Sequence, residues 1–479
     1  SETIGKEHSI KPFIKDLSWY FVASLVPLAI GFIKTPVFTR HFSGEDFGYL
    51  GIISTTFTYL GMFLFSWIAS CIWRFYVKYK DQQALKTLFS NLMAIYALAV
   101  FFLTVISVSW YFSESHALIK QLILFSFFQL VFNQLFLMLM VFVRLEGQAG
   151  FYTVFQSLRA ALGLISTIVL VFGFKANISA LVAGLALIDF LALVLLLWIN
   201  PMKLGLSIKS INRADLRILI NYGSAGLVVN LAFLVISSSD RYIIALLSSM
   251  DKVGIYDQVY KISQLSVLAL ITVYFNTVNP YLIRELETNF KKSAVVMRQY
   301  LLYFLLAGIP VVFYMSLFAR QIAGIFLGSV FREGYVFMPF IFLATLIQGV
   351  SNFFELRLKF SDRIKKLSLI VIAVAVLNVL ITYLFVNMFG YIWAAYTTLV
   401  TYAFLVLVFY LQDRELFNFS RPFISLLAKV LMLLALQLVI YLIVKQYFGT
   451  ELIPTVIMAL VFVVSFVFII KKQLPKFDA

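Results

Sequence analysis

The sequence predicts an all-α integral membrane protein with about fourteen transmembrane helices, in two pseudo-symmetric six-helix lobes plus two extra C-terminal helices. Composition, a series of long apolar runs and a weak internal repeat predict this class. Of the 479 residues, 62% are hydrophobic and 13% are charged, whereas an average soluble domain is about 25% charged. A water-soluble core of this size could not bury so many Phe, Leu, Ile and Val side chains.

A membrane-spanning helix needs roughly 20 mostly apolar residues, and fourteen runs satisfy this. They cover approximately 16–38, 47–73, 87–112, 119–142, 152–173, 178–199, 217–246, 254–278, 297–318, 334–355, 367–387, 391–411, 426–446 and 453–470. The run 47–73 is the most polar, because it contains Ser54, Thr55, Thr56 and Thr58. We expect it to face protein or water rather than lipid.

Most Lys and Arg residues fall in alternate loops between these runs, which places both termini in the cytoplasm. The net charge of +16 is therefore a topology signal and does not predict binding to nucleic acid. The single cysteine, Cys71, excludes a disulfide framework, and with three scattered histidines we expect no metal site. Lys6, Lys11 and Lys15 lead into an apolar run without a small-residue cleavage site, so we expect no cleavable signal peptide.

Three pairs of similar segments occur in the same order in both halves, at nearly constant offset. They are 45–49 with 251–256 (offset 206), 144–146 with 357–359 (offset 213) and 172–173 with 389–390 (offset 217). We therefore predict parallel repeats related by an axis along the membrane normal. The N-lobe covers 1–210 (helices 1–6), the C-lobe covers 211–416 (helices 7–12), and helices 13 and 14 lie in 417–479.

Charged side chains inside a membrane are costly, so each is a candidate functional residue. The candidates are Lys34, Arg40, Arg159, Arg241 and Lys261 as cations, and Asp189, Asp240 and Asp257 as anions. The excess of cations predicts a cavity for an anionic substrate, with Arg40, Arg159, Arg241 and Lys261 as binding residues. Aromatic side chains that could stack on sugar rings are Tyr59, Trp67, Tyr242, Tyr256, Tyr260 and Tyr274.

Structural roles stay open for several of these charges. Asp257 and Lys261 are four residues apart on one helix and could pair. Arg159 and Asp189 lie on adjacent antiparallel helices at depths that differ by about 5 Å, so they could form an ion pair inside the first lobe. Arg40 could anchor at the membrane interface.

Lys34 and Asp240 are 206 residues apart, which is the repeat offset of the segments that follow them. They would therefore lie at equal depth on opposite lobes, and we predict a cross-lobe ion pair that closes an outer gate. Local pairing of each residue is the alternative. Asp189 joins them as a candidate for gating or coupling. Pro27 interrupts the first helix, as a hinge or as a static kink.

Several stretches resemble the Wzx-type O-antigen flippases, polysaccharide exporters of the MOP superfamily, which also includes MATE drug exporters and lipid II flippases. The resemblance is carried by 40–49, by Ser238-Ser239-Asp240-Arg241-Tyr242, by 253–256 and by 378–395. The Ser-Ser-Asp-Arg stretch is the most specific, and the likeness covers nearly the whole chain. Ser43-Gly44 departs from a Gly-Pro pair found in many relatives, in a loop where the change weakens no functional claim.

The resemblance implies a MOP-type fold and a flippase rather than an enzyme, located in the bacterial cytoplasmic (inner) membrane. Such proteins move an undecaprenyl-pyrophosphate-linked oligosaccharide from the cytoplasmic to the periplasmic leaflet by alternating access. The implied partners are this lipid-linked glycan, membrane lipids and polysaccharide polymerase machinery. We expect no cofactor. Because the sequence has no phosphate-binding loop for ATP, the expected energy source is a gradient of H⁺ or Na⁺, or the membrane potential.

Two other functions fit the sequence less well. A MATE-like multidrug or cation antiporter would need an acidic pocket, whereas the embedded charges are net basic. A membrane-embedded glycan-lipid transferase would need a catalytic base or a set of metal-binding carboxylates, and no long extramembrane loop carries one.

Overall fold

The computed structural model describes residues 10–199, 205–361, 364–448 and 461, and within these ranges the regular structure is helical throughout. The helices are α1 (Ile10–Thr39), α2 (Gly44–Leu64), α3 (Ser66–Asp81), α4 (Leu85–Ser113), α5 (Ala117–Leu145), α6 (Ala149–Ile168), α7 (Ala180–Ile199), α8 (Arg213–Ser238), α9 (Asp240–Leu247), α10 (Met250–Thr288), α11 (Phe290–Leu317), α12 (Ala319–Phe326), α13 (Met338–Phe360), α14 (Ile364–Phe389), α15 (Trp393–Gln412) and α16 (Arg421–Phe448). Short 3₁₀ or π turns extend or connect some of them.

Twelve helical segments in the described ranges are long and apolar enough to cross a membrane, which confirms the predicted all-α membrane class. They correspond to predicted helices 2 to 13. Predicted helix 1 falls in α1, whose apolar part, Leu25–Thr39, is shorter. Predicted helix 14, at 453–470, lies outside the described residues except for residue 461. The count of fourteen stays a prediction.

The start of α2 is set by a capping box. The Ser43 hydroxyl accepts a hydrogen bond from the Asp46 backbone N–H at 3.1 Å, and the Asp46 carboxylate accepts one from the Ser43 backbone N–H at 3.1 Å. Glu45 and Asp46 also place negative charge at the helix N-terminus, where it is favourable. Ser43, the departure noted in the sequence, therefore has a local structural role.

The chain forms two compact units. Unit 1 runs to Val37 and resumes over Phe42–Asp257, and unit 2 takes Phe38–His41 and the chain from Gln258 onward. The boundary lies inside α10, whereas the predicted repeats divide near residue 210. The division into repeats stays a prediction.

Unit 1 is built around α5, which packs against α2, α3, α4 and α7, and α6 packs against α7. The crossing of α6 and α7 is close: a side-chain carbon added at Gly184 would lie 2.9 Å from the backbone nitrogen of Thr167. Small residues at such positions let apolar helices approach each other where the hydrophobic effect alone provides little attraction.

Unit 2 is centred on α13, which packs against α11 and α15, while α14 packs against α15. Buried polar side chains join α14 to α15: Asn378 donates to Thr401 at 2.8 Å, and the hydroxyls of Thr382 and Thr397 are 2.8 Å apart. One face of α16 packs on α11 through a cluster of buried apolar side chains, namely Leu302, Leu306, Phe423, Leu426, Val430 and Leu434.

Candidate functional site

A buried charge cluster forms where α8 ends and α9 begins in unit 1. Arg241 Nη1 donates to Asp240 Oδ1 at 2.7 Å and to the Ser237 carbonyl at 2.7 Å, and Nε donates to Asp257 Oδ1 at 3.3 Å. The Tyr256 hydroxyl donates to Asp240 Oδ2 at 2.5 Å. Arg241 is only 5% exposed, and both carboxylates are buried. The hydrogen bonds therefore offset the cost of burying three charges.

Two carboxylates in this cluster pair with the Arg241 guanidinium. Asp240 pairs with its neighbour Arg241, which is the local arrangement left open in the sequence. Asp257 also pairs with Arg241. The roles of Arg241 in substrate binding and of Asp240 in gating stay predictions.

A polar and aromatic patch adjoins the cluster on α2 and α9. The hydroxyls of Thr56 and Tyr242 are 2.7 Å apart, and the rings of Tyr59 and Tyr242 are 6.1 Å apart. Tyr59 donates to the Leu234 carbonyl at 3.3 Å. Tyr242 is 36% exposed, so this patch presents ring and hydroxyl surface of the kind that contacts sugars.

Arg159 and Asp189 form an ion pair between α6 and α7, with Nη1 and Oδ1 2.6 Å apart. Asn133 accepts from Arg159 at 2.8 Å, and Gln129 donates to Asp189 at 3.3 Å. The guanidinium lies over the Phe136 ring at 4.5 Å from its centroid. The structure thus contains the ion pair that was the structural alternative for Arg159 and Asp189. Substrate binding by Arg159 stays a prediction.

The remaining candidates are Arg40, Lys261, Lys34 and Pro27. Arg40 is exposed and donates to the Ile325 carbonyl at 2.8 Å, within unit 2. Lys261 is exposed on α10, one turn beyond Asp257, and Lys34 is half-buried on α1. Pro27 lies inside α1, which continues through it as a helix.

Arg357 is a buried charge that the sequence does not predict, because it follows the predicted helix 334–355, where a cation is expected as a topology signal. Arg357 is buried in unit 2, where its guanidinium donates to Asp413, to Glu415 at 2.5 Å and to the Ser293 hydroxyl at 3.0 Å. It therefore fastens the α15–α16 connection to α11 and α13. The one signal was the match of 357–359 to 144–146 in the other repeat.

In the described part of the chain, no three His, Cys, Asp or Glu side chains are grouped so that they could hold a metal ion. What the clusters can do is hold charge at membrane depth and, by exchanging partners, bind an ion or an anionic group.

The fold is similar to solved transporter structures. A lipid II flippase, MurJ, in an inward closed conformation superimposes with a TM-score of 0.70 at 13% identity, covering 95% of this chain and 98% of that one. An inward-facing multidrug resistance MATE family transporter of the MOP superfamily gives 0.60 at 15% identity, over 86% and 95%. A mutant of the Vibrio cholerae MATE transporter VcmN gives 0.56 at 12% identity, over 85% and 98%. These likenesses confirm the MOP-type fold.

No curated protein matches the sequence. The sequence does match the profile of the family described as polysaccharide biosynthesis protein, over residues 13–285. This match covers more than half of the chain. The chain therefore belongs to the polysaccharide biosynthesis protein family.

Proposed function

We propose that the protein is a flippase that moves an undecaprenyl-pyrophosphate-linked oligosaccharide, such as an O-antigen repeat unit, from the cytoplasmic to the periplasmic leaflet. The observation that carries the proposal is the fold: a member of a polysaccharide biosynthesis family folds like a lipid II flippase. A chain with this family assignment and a transporter fold would supply the step that carries a finished glycan unit across the membrane.

Lys261 is the side chain best placed to meet the pyrophosphate. It is exposed, and it lies within the membrane-spanning part of α10. An ammonium group at membrane depth is costly, so such a residue is a functional candidate. Arg159 and Arg241 are less accessible, because both side chains are largely buried and held by carboxylates. Lys34 and Arg40 are the further cations that we propose for the path of the headgroup.

The patch of Thr56, Tyr59 and Tyr242 supports a sugar-bearing cargo. Its exposed ring surface suits the apolar face of a sugar, and its hydroxyls suit the hydroxyl groups. The lipid tail would stay in hydrocarbon. An apolar cavity of about 200 Å³ in unit 2, lined by residues of α10, α11 and α13 that include Tyr274, Phe304 and Gly308, could take part of that chain.

Alternating access needs an energy source, and we propose an H⁺ or Na⁺ gradient or the membrane potential. Moving one charge through 100 mV provides about 2.3 kcal/mol. Asp240 and Asp189 are the proposed coupling carboxylates, because both lie buried beside an arginine that could hold or release them. Opening of a Lys34–Asp240 gate, and bending at Pro27, would accompany this exchange.

We further propose an inner-membrane location with both termini in the cytoplasm, beside the polysaccharide polymerase machinery. One observation favours a second function, a MATE-like cation antiporter: Asp240 and Asp257 are two buried carboxylates close together beside Arg241. Carboxylates of this kind are the ligands that a cationic cargo would use.

Transport by the purified protein in sealed liposomes tests the proposal. One arm uses a fluorescent lipid-linked oligosaccharide on undecaprenyl pyrophosphate, and the other uses a fluorescent organic cation under an imposed H⁺ or Na⁺ gradient. We expect leaflet exchange of the glycan lipid, with its mass unchanged. Transport of the cation alone would support the antiporter, and a changed mass of the glycan lipid would indicate a transferase.

A further inference from the structure

The first turns of α2 and α10 cross with their backbones in contact. A side-chain carbon added at Gly48 would overlap the carbonyl group of Met250, and one added at Gly254 would overlap the carbonyl oxygen of Gly44. Only glycine lets two helices approach in this way. Here the approach brings together the two segments that resemble each other in sequence.

These two contacts are images of one another. Gly44 and Met250 are 206 residues apart, and so are Gly48 and Gly254, which is the offset of the sequence repeat in this region. Exchanging the repeats therefore converts the Gly48–Met250 contact into the Gly254–Gly44 contact. A twofold axis between two elements produces reciprocal contacts of this kind. The crossing thus lies at the axis that relates α2 to the start of α10.

A third pair, one turn further along, falls on the same axis. Gly51 and Asp257 are also 206 residues apart, and a side-chain carbon at Gly51 would lie 3.4 Å from Asp257 Cγ. The absence of a side chain at Gly51 leaves room for the Asp257 carboxylate, which is held by Arg241 at 3.3 Å. Arg241 therefore ties α9 to the start of α10, while α2 meets α10 through glycine.

We propose that this glycine crossing, formed by Gly44, Gly48, Gly51 and Gly254, is the contact that closes one side of the transport path and separates when that side opens. The inference rests on the proposed alternating access. When two repeats related by an axis along the membrane normal rock against each other, the elements that touch at this axis on the opening side must separate. Backbone contacts through Cα–H groups are worth about 0.5–1 kcal/mol each, so a crossing built from them can open without breaking interdigitated side chains.

Cysteine labelling tests the crossing directly. In a Cys71→Ala background, Thr56→Cys places a thiol on α2 just past the crossing. A membrane-impermeant maleimide is applied from the side on which α2 begins, and a Glu45→Cys variant identifies that side. We expect Gly48→Ala and Gly254→Ala each to raise the labelling rate roughly tenfold, because one extra carbon in a tight contact shifts an equilibrium by about that factor.

The two wedge variants should act alike, since they disturb contacts that the twofold axis relates to each other. Gly226→Ala is the matched control, because an added carbon there meets nothing within 4 Å. A second variant closes the crossing instead: Gly44→Cys with Asp251→Cys, where a carbon at position 44 would lie 3.0 Å from Asp251 Cγ. Its disulfide should stop transport and slow labelling at position 56, and a reductant should restore both.

Parental labelling rates in folded Gly48→Ala and Gly254→Ala proteins would overturn the inference. So would full transport by the cross-linked protein, which decides the matter alone if the wedge variants fail to fold. Labelling needs no substrate. Exchange of the glycan lipid is measured in matching variants that keep Thr56, because this residue belongs to the proposed sugar patch. Faster labelling without exchange would then uphold the crossing and refute only the proposed cargo.

Discussion

Removal of one partner of the Arg159–Asp189 ion pair should strongly destabilise unit 1. The two side chains are 16% and 7% exposed, and their charged atoms are 2.6 Å apart. The hydrogen bonds with Asn133 and Gln129 complete the cluster. A charge left alone in such surroundings costs about 3–5 kcal/mol. We expect Arg159→Met and Asp189→Leu each to lower the free energy of unfolding by about that amount.

The double variant, Arg159→Met with Asp189→Leu, should recover most of this loss, because it leaves no uncompensated charge. Lys80 and Glu146 provide the control pair: they lie 3.2 Å apart but are 48% and 28% exposed. For Lys80→Met we expect a loss of at most about 1 kcal/mol, since water and salt screen an exposed pair.

Unfolding in detergent micelles, followed by circular dichroism in increasing denaturant, gives the unfolding free energies of the parent, the two single variants and the double variant. Flipping of the glycan lipid by the double variant is measured in parallel, and we expect it to persist. If Arg159→Met lost no more stability than Lys80→Met, the reasoning about burial would be refuted. A stable double variant that cannot transport would instead place the pair in binding or coupling.

Three further outcomes follow from the structure. Tyr256→Phe removes the hydroxyl that donates to Asp240 and should cost about 1–3 kcal/mol in the same unfolding measurement, because the buried carboxylate loses a donor. Arg357→Ala should free the α15–α16 connection, so protease should cleave there faster than in the parent protein, and an unchanged pattern would count against the anchor. The hydrogen bond from Tyr76 holds the pKa of Glu146 below its ordinary value of 4.5. The stability that this carboxylate contributes is therefore present above pH 4.5 and lost as the pH falls through the lowered pKa. Glu146→Gln should flatten this acid dependence of the unfolding free energy.

The helices were predictable because apolar length is a property of the local sequence. Predicted helices 2 to 13 match the spans within several residues at most ends. The breaks within these helices were not predictable from local sequence. The predicted helix 217–246 breaks at Ser239 into α8 and α9, and the predicted helix 47–73 breaks at Phe65. At the first break, the Ser237 carbonyl accepts from the Arg241 guanidinium. Partners of that kind depend on the three-dimensional fold and leave no periodic signal.

The ionisable residues were located correctly within the apolar helices, but their partners were only partly predictable. Arg159 and Asp189 pair because adjacent antiparallel helices bring equal depths together, which can be worked out from the rise per residue. Helical spacing predicts that Asp257 pairs with Lys261, and this stays a prediction. The pairing of Arg241 with Asp257 depends on the break before α9, which the sequence does not predict. The partners of Arg357 lie in the connection between α15 and α16. Because the sequence does not show where that connection packs, the position of Arg357 after a predicted helix indicated only a topology signal.

The central claim is that the protein carries an anionic lipid-linked glycan between leaflets, with Lys261 meeting the pyrophosphate. The most direct measurement compares two fluorescent cargoes in sealed liposomes with a membrane-impermeant quencher: an undecaprenyl-pyrophosphate oligosaccharide and the same glycan on a polyprenol without phosphate. We expect the parent protein to make the inner-leaflet share of the first cargo accessible to the quencher. Lys261→Gln should slow this exchange roughly tenfold or more, because a charge-assisted contact is lost. Lys291→Gln, at another exposed lysine near the start of α11, should transport at the parental rate. Equal rates for both cargoes, or for Lys261→Gln and the parent protein, would contradict the account.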